Sequence, residues 1–162
     1  MAPGRFKPRD PEFRGRVLDI WNRANFIQDL GMKLDSFDAG RVRTSLVVRP
    51  RHLQQNKFIH AGVMATLADH SAGGAGGTLI AANEVILTVE YKINFLRPAI
   101  GDSLVCAAEV FQHGKTIIVA QSDVFTVKGS REKHAARATV TLAVVSAADE
   151  AVVSDQPGPE CK

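Results

Sequence analysis

Aromatic residues are scarce in this chain of 162 residues, at 6% with one Trp and one Tyr. A protein that binds single-stranded nucleic acid stacks bases on exposed rings, and this composition does not supply them. Cysteine is equally scarce: Cys106 lies in a strand-like pattern and Cys161 is the penultimate residue. The pair reads as a core residue and a tail residue, not as a disulfide framework. No long unbroken apolar run exists. The longest, Ala61 to Ala82, contains Asp69, His70 and five glycines, which excludes a membrane span. Met1 to Pro11 is basic and Pro-rich but has no apolar core, so it is no secretory signal, and the cytoplasm is the default compartment. Walker, dinucleotide-binding and Gly-x-Ser-x-Gly motifs are missing. His52, His60, His70, His113 and His134 show no ligand spacing, so no metal is expected.

What is present suits one globular domain, with 45% apolar and 23% charged residues. The net charge of +3 is compatible with a phosphorylated small molecule. Residues 1–11 read as a flexible arm, 12–146 as a single domain and 147–162 as a flexible tail. From Pro11 to Leu30 the apolar residues Val17, Leu18, Trp21 and Ala24 recur at helical spacing, and Gly31 reads as the stop. Met32 to Asp38 and Arg41 to Arg49 form a hairpin about Ala39-Gly40. Phe58 to Ala82 reads as a long small-residue helix. The glycines in it predict close approach of a sheet or a second helix. Glu84 to Arg97 is a long β-branched and aromatic strand, followed by an antiparallel meander over Ser103 to Gln112, Thr116 to Val127 and Lys133 to Val145. The fold class is α+β: about six antiparallel strands curled around one central helix, with an extra N-terminal helix. One helix cannot cover six strands, so a second subunit is expected against the remaining apolar surface.

Asp69 is the odd residue of the long helix, a carboxylate among Ala and Leu. Asp is a poor helix former and is penalised by desolvation. His60 stands at the helix start, with Gln54 six residues earlier. The N–H groups of Ala61, Gly62 and Val63 fall where a helix leaves donors unpaired and carries partial positive charge, which suits a developing oxyanion. Asp69 lies nine residues beyond His60, about 13 Å along a helix and on roughly the opposite face. One helix cannot bring both to one atom. Two antiparallel helices across a two-fold axis can, with two shared sites per dimer.

The combination Gln54-x5-His60-Ala61-Gly62-x6-Asp69, with Asn94-Phe95-Leu96-Arg97-Pro98-Ala99 and Gly101-Asp102, resembles the hotdog-fold acyl-CoA thioesterases, in particular their phenylacetate-pathway subgroup. The likeness spans about residues 30–145. It implies a curved sheet wrapped around one helix, a homodimer with a continuous sheet, and a further pairing of dimers. It implies that Asp69 is nucleophile or general base, that Gln54 holds the reacting group or water, that the Ala61 amide polarises the thioester carbonyl while His60 shapes the turn, and that Thr88 assists. Coenzyme A then enters as part of the substrate, and no separate cofactor is implied. Gly62, Arg97, Gly114, Lys115 and Thr116 become its candidate contacts. The family often has Gly where this chain has Ala61. Neither nucleic acid nor membrane is an expected partner. A hotdog hydratase or dehydratase, and a non-enzymatic acyl-CoA-binding protein, are the competing readings.

Overall fold

A computed structural model describes residues 6–148. Two short helices open it, α1 (Phe13–Arg23) and α2 (Asn25–Leu30). The single helix expected from Pro11 to Leu30 is broken at Ala24, whose ψ of 79° is not helical. The spacing of the large apolar residues explains the break. Phe13, Val17 and Trp21 are four apart and bury one stripe. Ile27 comes six after Trp21, about 120° off that stripe in an unbroken helix. Restarting the helix turns Ile27 back into the core. Gly31, at φ 83°, closes α2 in the left-handed conformation that the sequence predicted.

Part of the arm expected over 1–11 lies against the domain. Phe6 meets the His113 ring edge-on, the Arg9 N–H donates to Leu79 O, Arg9 pairs with Glu84, and Asp10 is buried against Arg16. Residues 1–5 and 149–162, including Cys161 and most of the expected tail, lie outside the described residues.

The strands are β1 (Met32–Asp38), β2 (Arg41–Val47), β3 (Glu84–Phe95), β4 (Ser103–His113), β5 (Ile117–Lys128) and β6 (Arg131–Ser146). They form one antiparallel sheet in the order β1-β2-β4-β5-β6-β3. The hairpin and the meander are as expected. The long strand β3 crosses over to the far edge and pairs with β6. Every pairing except β2–β4 contains a register shift. Such bulges bend and twist strands, which suits a sheet that curls.

The sheet curls around α3 (Ala61–Gly77), shorter at both ends than the expected Phe58–Ala82. Met64, Leu67, Ala68, Ser71, Ala72 and Ala75 recur at three and four and are buried. They pack on Leu46, Leu104, Cys106, Ile118, Ala120 and Val140 of the sheet. Buried hydroxyls in this layer are paired: Ser71 Oγ lies 2.8 Å from Thr44 Oγ1 and donates to Leu67 O, and Ser122 Oγ donates to Ala68 O. Only part of the glycine expectation holds. A Cβ on Gly76 would lie 2.7 Å from Leu142 Cδ1, so the sheet does approach that closely. Gly73 and Gly77 have nothing within 4 Å of such an atom.

The end of α3 is held from outside. Thr78 Oγ1 donates to Ala75 O and accepts the Gly40 N–H. The Arg16 guanidinium donates to Gly77 O, Ile80 O and Ala81 O, and its Nε lies 3.1 Å from Asp10 Oδ2. A cation here meets the negative end of the helix dipole. No helix among the described residues is long and apolar enough to cross a membrane.

Candidate active site

Asp69 lies on the face of α3 turned away from the sheet core, half-buried. Thr88, on β3, donates its hydroxyl to Asp69 Oδ1 at 2.9 Å. Burial pushes the Asp69 carboxyl above its ordinary value, and the Thr88 hydrogen bond offsets part of that rise. His70 follows it, stacked at a tilt on Trp21 with ring centroids 4.7 Å apart. Burial drives the His70 imidazole down to about 4, so the carboxylate has a neutral neighbour at neutral pH.

A bulge builds the wall opposite Asp69. The register of β3 shifts between Thr88 and Glu90. Alternation would put Thr88 and Tyr91 on opposite faces, yet both line space beside Asp69. Two hollows meet at that carboxylate. One, of about 530 Å³, is bordered by Asn25, Phe26, Thr66, His70 and Tyr91. The other, of about 370 Å³, lies between α1 and the C-terminal half of α3.

A separate constellation forms at the start of α3. His60 is the N-cap, and its Nδ1 accepts the Gly62 N–H at 2.9 Å. The Val63 N–H is taken by His60 O at 3.0 Å. The three free donors expected here are thus corrected to one, because the cap residue satisfies the other two. Of these three, the Ala61 N–H is the one with no partner among the described residues. Gln54 and Arg97 line a hollow of about 540 Å³ together with Ala61. Gln54 also closes a tight turn, its carbonyl accepting the Lys57 N–H at 2.9 Å, with Lys57 at φ 62°.

Sequence reasoning passed over the residue that anchors this loop. His52 is buried, its Nδ1 accepts the Arg49 N–H at 3.0 Å, and its Nε2 lies 3.0 Å from Leu30 O. The neutral imidazole with its proton on Nε2 fits both bonds, and the Arg51 Nε that lies 3.2 Å from that nitrogen is then a neighbour and not its donor. The His52 carbonyl accepts the His60 N–H at 2.8 Å, so this residue connects the end of α2 to the cap of α3. Its only signal in the sequence was a histidine two residues after a strand-ending proline.

Asp69 and Thr88 are therefore together, as are Gln54, Ala61 and Arg97, with His60 capping the helix beside them. Ala61 and Asp69 are eight residues apart, about 12 Å along the helix, and cannot meet at one atom within the chain, although Gly62 borders the same hollow as Asp69. Lys115 and Thr116, with Gly114, occupy the β4–β5 turn. The Thr116 carbonyl accepts the Val144 N–H, and that part of β6 pairs with the start of β3. Arg97 follows the opposite end of β3. The candidate coenzyme A contacts Arg97 and Lys115 thus stand at opposite ends of one subunit.

The Thioesterase superfamily matches residues 56–133, which run from the turn before His60 through α3 to β6. A thioesterase family protein from Silicibacter pomeroyi is 32% identical, superposes with a TM-score of 0.81, and the alignment covers 83% of this chain and 98% of that one. The chain belongs to the thioesterase superfamily. A thioesterase of Haemophilus influenzae (22% identical, TM-score 0.73, covering 80% of this chain and 89% of that one) shares the fold. So does the Escherichia coli PaaI protein from the phenylacetic acid degradation operon (20% identical, TM-score 0.74, covering 83% of this chain and 94% of that one). This thioesterase-family protein thus has the hotdog fold that its motifs implied, and its Asp69–Thr88 pair and capped helix start lie inside or beside the matched region.

Proposed function

We propose that this protein hydrolyses an acyl-CoA thioester to the free acid and coenzyme A. The observation that carries the reading is the Asp69–Thr88 pair: a carboxylate in mid-helix, held through one oxygen and set where two hollows meet. Thr88 fixes Oδ1 and leaves Oδ2 to act. Water adds to the carbonyl carbon as Asp69 takes its proton, or Asp69 itself attacks and water resolves the anhydride. In both routes the C–S bond breaks, and the thiolate of coenzyme A receives a proton. The Ala61 N–H, at the positive end of α3, faces the oxygen on which negative charge develops.

The two groups act together when two copies pair, Asp69 of one protomer working with the Ala61 amide of its partner. The β3 edge favours such pairing. It is a twelve-residue edge strand with Leu87, Val89, Tyr91 and Phe95 exposed. Edges of this length and apolarity are normally covered. Pairing about a two-fold axis also reverses the partner's strand, which offers a way for Arg97 and Lys115 of different protomers to serve one coenzyme A.

Thiol release from a panel of acyl-CoAs tests the reading. Asp69→Asn is expected to lower turnover by at least about a hundredfold with the circular dichroism spectrum unchanged. Near-normal hydrolysis by that variant would sink it.

A further inference from the structure

The hollow between α1 and α3 has a floor that packing within this chain does not explain. It holds about 370 Å³, at the small end of the range for ligand pockets. Val17, Ile20 and Trp21 of α1 form one side, and Val85 and Ile86 of β3 another. Its third side is helix backbone. Gly73 and Gly77 follow Asp69 at steps of four, so all three lie on one stripe of α3. Elsewhere in this helix a Cβ would meet atoms of the subunit: Gly76 makes room for Leu142, and a Cβ on Gly74 would touch Val42 at 3.4 Å. Added at Gly73 or Gly77, it would meet nothing within 4 Å. Each glycine weakens a helix by roughly 1 kcal/mol relative to Ala, and no contact described here calls for these two. The result is a track leading away from Asp69 for about 12 Å, lined by apolar side chains apart from Arg23, His70 and Thr88.

We infer that this track receives the acyl part of the substrate, and that Gly73 and Gly77 set how long it can be. The substrate class is a thioester with an apolar acyl chain of medium length, rather than acetyl or a charged acyl group. The inference rests on the thioesterase reading of Asp69. Continuity with that carboxylate identifies the occupant, because the hollow and the Asp69–Thr88 pair share a wall. The hollow on the other side of Asp69 is bordered by Asn25, Thr66 and Tyr91 beside Phe26 and Ile27, and this mixed lining suits the other arm of the thioester.

Trp21 reports on the track directly, being the chain's only tryptophan and one of its lining residues. Titration with octanoyl-CoA, and with octanoate alone, should change its fluorescence saturably, whereas acetyl-CoA and acetate should not. Gly73→Leu places a side chain on the track. It should weaken the octanoyl response, and shift kcat/KM toward acetyl-CoA over octanoyl-CoA, by at least about tenfold. Gly77→Leu should act only on chains long enough to reach it, and thermal melts check that both variants are folded.

An octanoyl response unchanged by Gly73→Leu, or no Trp21 response to octanoyl compounds, would overturn the inference. So would dissociation of subunits in Gly73→Leu on sedimentation, which would make a second copy the occupant. Asp69→Asn separates the two readings. If it retains hydrolysis while octanoyl still perturbs Trp21, the catalytic assignment fails and the acyl track stands. If it abolishes hydrolysis while Gly73→Leu changes nothing, the track fails and the assignment stands.

Discussion

His60 accepts the Gly62 amide on its own imidazole, at 2.9 Å, and thereby leaves the Ala61 amide as the donor exposed at the start of α3. The cap both orients the helix start and restricts which N–H can reach a substrate. That relationship makes the oxyanion role separable from folding.

Ala61→Pro is the direct probe. Proline is well tolerated at the first helical position, because the N–H it lacks has no partner within the helix. Its predecessor His60 is already extended, at φ −63° and ψ 139°, as a residue before proline prefers. The variant should keep its Tm within a few degrees and lose about 10²–10³ in kcat. Unchanged kcat would remove Ala61 from the site.

The Asp69 carboxyl gives a pH signature. Its folded value is raised above 3.8, so the acid limb of the rate profile should fall at a higher pH than an ordinary aspartate would give. The sign for stability is opposite to that of a salt-bridged carboxylate. A raised value means that the folded state binds the proton more readily, so stability is lost as pH rises through the window that begins near 3.8. Asp69→Asn should therefore melt at a higher temperature than the parent at pH 7, with the difference shrinking toward pH 4. A lower Tm at pH 7 would contradict the buried-charge argument.

His70 contributes in the other direction. Its folded value is lowered from 6.5 to about 4, so the stability of the neutral ring is complete above 6.5 and is lost as pH falls toward 4. Replacing it with Phe keeps a ring against Trp21 and removes the titration. The slope of Tm against pH between 6.5 and 4 should become shallower in His70→Phe, followed by differential scanning calorimetry.

The glycines of α3 should divide into two classes. Gly76→Ala forces a methyl group against a fully buried Leu142 and should cost about 1–3 kcal/mol. Gly73→Ala meets open space and should stabilise by up to about 1 kcal/mol. Urea melts of the two single variants would show opposite shifts in midpoint. Equal shifts would mean that the sheet does not approach Gly76 as closely as described.

Local pattern carried most of the fold. Period-two alternation located the hairpin and the meander, and an isolated Asp among Ala and Leu singled out Asp69. Features that depend on partners distant in sequence were not legible. The break at Ala24 follows from where Ile27 must pack, and only the sheet supplies that constraint. The bulge that brings Tyr91 to the side of Thr88 leaves no mark in a run of β-branched and aromatic residues. His52 looks like any loop histidine until Arg49 and Leu30 close on it. The donors at Gly62 and Val63 looked free because the sequence does not reveal that the cap imidazole and carbonyl turn back onto them.

The family match begins at residue 56, but the folding unit begins earlier. Arg16 joins Asp10 to three carbonyls at the end of α3. Trimming the chain to its matched region would remove β1, β2 and most of β6, and would also strip the counter-charge and the apolar roof from its central helix. The segment before the matched region holds both the roof of the track proposed for the acyl group and the counter-charge of α3, so variation there should alter substrate choice and stability at once.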